Sequence, residues 1–189
     1  MPHFDLILSN PDLNKSEWTE LDPRPWETEP DKVFWFDEVT GYDCCMIRTN
    51  LGIWCGYVAV DSSHILYKSR YNELDFPYLD VHGGVTYSGF GHPAPGGTIT
   101  PQSLCPYPEL NVHTYDEHWW IGFDCAHAGD LIPGIAVMSL YLPFLSHAHY
   151  HDINAVYYQT CNLALQLHQF DHVDDLSQKE EPLPPFGIT

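Results

Sequence analysis

The chain has 189 residues, 44% of them hydrophobic and 14% aromatic, enough to pack one domain and too apolar to be disordered throughout. Its formal net charge of −19, from 26 acidic against 7 basic residues, repels phosphate backbones and anionic surfaces, so general nucleic-acid binding is excluded. No apolar run approaches the roughly 20 residues that span a bilayer, so no membrane partner is expected.

The N-terminal stretch MPHFDLILSNPDLNKS carries neither a basic leader nor a small-residue cleavage site. No signal peptide is expected, and the chain should remain in the cytoplasm. Residues 1–30 read as an irregular lead-in segment, because LDPRPWETEP places three Pro in ten residues. Trp18 and Trp26 are the side chains expected to lay it on the body. Residues 31–170 read as a single domain.

Three β-rich runs follow: KVFWFDEV, CCMIRT and IWCGYVAV, joined at TGYD and NLG. Short Gly-containing turns between such runs predict an antiparallel meander. A loop, DSSHILYKSRYNELDFPY, leads to a short strand expected around LDVH. Gly83 and Gly84 interrupt, and VTYSG resumes the strand pattern. The span from Phe90 to Tyr107 is rich in Gly and Pro and reads as a long loop, a candidate lid. HWWIGFDCA is a further strand. DINAVYYQTCNLALQLHQF places Ile153, Val156, Tyr157, Leu163, Ala164 and Leu167 at helical spacing, with Asp152 as N-cap. Residues 171–189 are acidic and Pro-rich and read as a flexible tail. The resulting fold class is α+β: a mainly antiparallel twisted sheet, one C-terminal helix packed on a face, and long loops at one end.

Six Cys occur without a C-x-x-C pair, and the adjacent Cys44 and Cys45 point to opposite faces of a strand. Reduced thiols are expected.

The densest chemistry lies in HWWIGFDCAHAGD, residues 118–130. On a strand, Trp119, Ile121 and Phe123 share a core face, and Trp120, Gly122 and Asp124 share the other. Two readings of the second set stand side by side. It is a slot with an aromatic wall and a terminal carboxylate, or Gly122 admits a neighbouring side chain and Asp124 caps a turn. Cys125, His127 and Asp130 are metal-capable, and His82 or Asp80 in the preceding LDVHGG is placed to supply a further ligand. The cofactor is therefore none, or a transition metal such as zinc. No zinc-finger, H-E-x-x-H or deaminase spacing is present. The alternative for CAHAGD is a hydrogen-bonded turn held by His127 and Asp130.

Gly83 and Gly84 let backbone amides approach a ligand. Ser88 lies in TYSGF, without the first Gly of a nucleophile elbow, which excludes a serine hydrolase of that type. His147, His149 and His151 alternate in SHAHYHD, a metal-capable spacing on a strand. The sequence of metallo-β-lactamases is matched only superficially, and a polar loop before the helix is expected. Among the few basic residues, Arg24, Arg48, Lys68 and Arg70 are those placed to meet a phosphate, and Arg48 and Arg70 those nearest the expected pocket. Each is equally accounted for as an ion-pair partner.

LGIWCGYVAV, VHGGVTYSG and WWIGFDCAHAGDLIP, followed by a helix with CNLALQL, resemble an uncharacterised family of small bacterial and phage proteins over about residues 30–170. The resemblance transfers no established reaction. In that family the Cys of FDCAH can be Thr, and the resemblance thus favours Asp124, His127 and Asp130 over Cys125 as the functional set. A phage accessory or counter-defence role, in a bacterial cytoplasm, is what the resemblance implies.

The leading expectation is a binding pocket for a nucleotide- or nucleoside-like small molecule, such as a host signalling nucleotide. It is built from His82, Gly83, Gly84, Tyr87, Ser88, Trp120, Asp124, His127 and Asp130, with Arg48 and Arg70 at the rim; Trp120 stacks and Asp124 accepts hydrogen bonds. The first alternative is a hydrolase with His127 as general base and Asp124 or Asp130 orienting it, with or without metal. The second is an acidic protein that blocks a basic surface. Homo-oligomerisation is left open.

Overall fold

The computed structural model describes residues 2–18, 24–90, 118–136 and 147–172. It is an α+β fold. Among the described residues six strands form one antiparallel sheet in the order β1-β2-β3-β4-β6-β5: β1 Leu6–Leu8, β2 Lys32–Asp37, β3 Tyr42–Arg48, β4 Trp54–Val60, β5 Tyr87–Phe90 and β6 Trp119–Asp124. A single turn of helix, α1, covers Pro133–Ala136, and the long helix α2 covers Ile153–Asp171. Among the described residues no helix is long and apolar enough to cross a membrane.

The meander β2-β3-β4 forms where the alternating runs predict it, with Val33 opposite Met46 and Met46 opposite Gly56. Adjacent side chains divide between two faces. Val33, Trp35, Cys44, Met46, Trp54, Val58, Ile121 and Phe123 bury on one side, against Val156, Leu163, Ala164 and Leu167 of α2. Phe34, Cys45, Ile47, Ala59 and Trp120 bury on the other. Cys44 and Cys45 thus lie on opposite faces, and the five Cys among the described residues are all free. Asp152 caps α2 as the sequence predicts, its carboxylate accepting from the Ala155 amide at 2.8 Å.

Two expectations are corrected. The lead-in is not irregular throughout: Leu6–Leu8 adds an edge strand to β2, and Asp5 extends the contact, donating to the Phe34 carbonyl at 2.8 Å and accepting from the Phe36 amide at 2.8 Å. Trp18 and Trp26 are buried, as expected of a segment laid on the body. The stretch around LDVH is not a strand. Its backbone is claimed by α2: the Asp80 amide donates to Gln166 Oε1 at 2.7 Å, and the Asp80 carbonyl accepts from Asn162 and Gln166 at 2.8 and 3.0 Å. The candidate lid from 91 onward and the tail from 173 onward lie outside the described residues.

The lead-in also carries a buried ionic knot. The side chain of Arg48 is fully buried at the end of β3, and stacks 4.3 Å from the Trp54 ring. All its donors are used. Nε reaches Asp31 at 3.1 Å, Nη1 reaches the Gly52 carbonyl and the Tyr150 hydroxyl, and Nη2 reaches Glu29 at 2.7 Å and the Pro30 carbonyl at 3.2 Å. Glu29 is satisfied in turn by Trp54 Nε1, the Tyr150 hydroxyl and the Ile153 amide at the start of α2. The knot thereby holds Tyr150 and Ile153, which bracket His151 and Asp152.

Candidate functional site: a histidine cluster around Asp130

β6 ends at Asp124, and the chain turns at once. Asp124 Oδ1 accepts from the Ala126 amide at 2.9 Å, and the Asp130 amide donates to the His127 carbonyl at 3.0 Å. Gly129, at φ +99°, makes the turn that L side chains resist. The returning chain is then pinned to the segment before α2. The His149 amide donates to the Gly129 carbonyl at 2.9 Å, and the Leu131 amide donates to the His149 carbonyl at 2.8 Å. This short parallel bridge between Asp130 and His149 brings residues 147–151 alongside the turn.

Asp130 is the centre. Its side chain is 5% exposed, and both oxygens are engaged. Oδ2 lies 2.8 Å from His82 Nε2 and accepts from the His127 amide at 2.8 Å, while Oδ1 lies 3.0 Å from His151 Nε2. The rings pack on each other, with His82 5.2 Å from His127 and 4.1 Å from His151 between centroids. Burial alone would raise the Asp130 pKa. The hydrogen bonds from His82, the His127 amide and His151 outweigh it, and the carboxyl is held below its ordinary value. His151 is displaced downward, by burial and then by the charge of His82, against the pull of Asp130.

His127 differs from the other two. Its Nδ1 is buried and has no hydrogen-bond partner, yet it stands 3.7 Å from Asp130 and 3.9 Å from Asp124. Its ring lies against Gly83, where a Cβ would overlap it. Gly83, at φ +68°, therefore serves both the turn after His82 and the seat of His127. Cys125 is 3% exposed beside the cluster, and burial raises its thiol pKa well above the ordinary value.

Of the residues singled out in the sequence, the fold brings together His82, Gly83, Cys125, His127 and Asp130, with Asp124 at the edge. Asp80 does not join them, since its side chain is exposed and its backbone is held by α2. Three assignments to a pocket are corrected. Trp120 is 1% exposed in the second core, with no face free for a stacked ligand. Gly122 is no slot: the Tyr57 ring occupies the space that a Cβ would need, and Asp124 caps the turn. Arg48 is consumed by the ionic knot.

Tyr87 packs on Tyr57 at 5.5 Å and donates to the Phe90 carbonyl; Ser88 Oγ accepts from the Tyr71 amide at 2.9 Å. Arg70 is exposed in a turn closed by Glu73, and Gly84 has open space at its Cα.

His151 was not among the expected site residues. The alternation His147, His149, His151 is the signal that carries it, and only the last turns inward, while His147 and His149 are exposed.

Comparison with protein-family models, with curated proteins and with solved structures gives no match to this chain.

Proposed function

We propose that the protein is a hydrolase whose centre is Asp130 with His82, His127 and His151. The observation that carries this reading is the burial of one carboxylate between two imidazole nitrogens at 2.8 and 3.0 Å, beside a third imidazole whose Nδ1 has no partner. Holding a turn in place has no need of two imidazoles bonded to one buried carboxylate and a third beside it. Proton transfer to and from a small polar substrate uses such groups when they are held in place. Asp130 orients the cluster. His127 and Asp124, each about a third exposed and 3.9 Å apart, form its accessible side and take the proton from an attacking water.

A purely binding pocket for a nucleotide-like molecule is less well supported, since Trp120 and Arg48 are spent elsewhere. Nucleotide-like esters remain the first substrates to screen, and the charge of −19 favours those with few phosphates. The test is turnover of a panel of nucleotides, phosphodiesters, carboxylic esters and amides. Turnover of at least one member is expected, falling about a hundredfold or more in Asp130→Asn, the scale of a lost acid–base group. No turnover across the panel, or equal turnover in the variant, would reject the reading. A protein that acts only through its acidic surface would be indifferent to Asp130→Asn.

A further inference from the structure

The donor atoms of His82, His127 and Asp130 all lie within 4.8 Å of one another, and a second group, His82, Cys125 and His151, meets the same limit. We propose that the first group binds one divalent transition metal of the zinc class, with His151 holding the far oxygen of Asp130. The inference rests on reading this cluster as the functional centre, and it names the group that would activate water there.

The geometry favours this set. Zinc bonds of about 2.0–2.2 Å place neighbouring ligand atoms of a tetrahedron about 3.3–3.6 Å apart. His82 Nε2 and His127 Nδ1 lie 2.8 and 3.7 Å from the same oxygen, Asp130 Oδ2, on either side of that spacing. His127 Nδ1 is buried without a hydrogen-bond partner, 3.7 Å from Asp130 and 3.9 Å from Asp124, and a cation bound there would give it one. Two nitrogens and one oxygen suit zinc and its neighbours, whereas magnesium and calcium call for oxygen ligands.

Three protein ligands leave a fourth position for water, and the side chains of His82 and His127 are 25% and 31% exposed. The bond from His151 to Asp130 Oδ1 is the kind of outer contact that fixes a ligating carboxylate. Cys125 is set aside because it is 3% exposed and falls in the other group, with His82 and His151. With His127 as a ligand, the acceptor for the proton of bound water narrows to Asp124.

The test uses the full chain, purified without chelator or affinity-tag metal, and equilibrated with zinc alone and with cobalt alone. The proposal expects about one equivalent of zinc per chain, a zinc-dependent rise in Tm, and a cobalt spectrum without a thiolate-to-metal charge-transfer band. His127→Ala and Asp130→Ala should lower the bound zinc at least tenfold, and Cys125→Ser should keep it. A wild-type chain that binds no zinc, a thiolate band with cobalt, or full zinc retention in both His127→Ala and Asp130→Ala would overturn the proposal.

The wild-type readings do not depend on whether a variant folds. Turnover without zinc that is lost in Asp130→Asn would sink the metal and leave the hydrolase; zinc binding without turnover would do the reverse.

Discussion

At the scale of the residue, the site depends on side chains that are small as much as on those that carry charge. Gly83 has a positive φ and no room for a Cβ beside His127, whereas Gly84 has a positive φ and open space. The pair separates backbone strain from crowding. Gly84→Ala should lose about 1–2 kcal/mol, the cost of holding an L residue in this region, and Gly83→Ala more, since the His127 ring must also shift. Only Gly83→Ala should also lower turnover, by tenfold or more, because it displaces His127. Denaturant unfolding beside turnover of the same two variants checks this; equal activity in the two would show that His127 has no need of the gap.

At this scale the sequence was informative about chemistry and misleading about space. His127 and Asp130 stand out because metal-capable residues crowd one turn. Trp120 stands out equally, yet alternation assigns a side chain to a face without saying whether that face is covered. Tyr57 and Phe34, far along the chain, help to close it.

At the scale of the element, the strands of the meander and the long helix were legible because period-2 and period-3.6 patterns are local. β1 was not, since three residues in a Pro-rich neighbourhood carry little pattern of their own, and its pairing comes from β2. The stretch around LDVH has strand composition, but Gln166 and Asn162 of α2 take the Asp80 backbone groups that a strand would have used.

The ionic knot is the element-scale feature on which the site leans most. Glu29 joins Arg48, Trp54, Tyr150 and the first amide of α2. Removing one partner of a buried ion pair leaves the other uncompensated, at about 3–5 kcal/mol. Glu29→Ala should therefore destabilise the protein by several kcal/mol, clearly more than the roughly 1 kcal/mol expected for loss of the Asp152 cap. Equilibrium unfolding of Glu29→Ala and Asp152→Ala compares the two, and a smaller loss in Glu29→Ala would show that the knot adds little.

At the scale of the whole molecule, three segments distant in sequence meet at one carboxylate. His82 is delivered by a loop that α2 anchors through Asp80, His127 by the turn after β6, and His151 by the segment between the Asp130–His149 bridge and the start of α2. No local pattern contains that meeting, which is why the sequence points to His82 as a partner and shows His151 only as one of three alternating His before the helix. The excess of negative charge has the same global character. It makes the gathering of three imidazoles around Asp130 stand out against the rest of the chain, where acidic residues outnumber basic ones 26 to 7.

The convergence itself is the central claim, and the ring signals of the twelve His report on it directly. Nitrogen-resolved NMR of the imidazoles would be compared between the wild-type chain and Asp130→Asn. The account predicts shifts confined to His82, His127, His151 and the adjacent His149, with signals such as His3 and His172 unchanged. Unaltered ring signals from His82, His127 and His151 in a folded Asp130→Asn chain would contradict it.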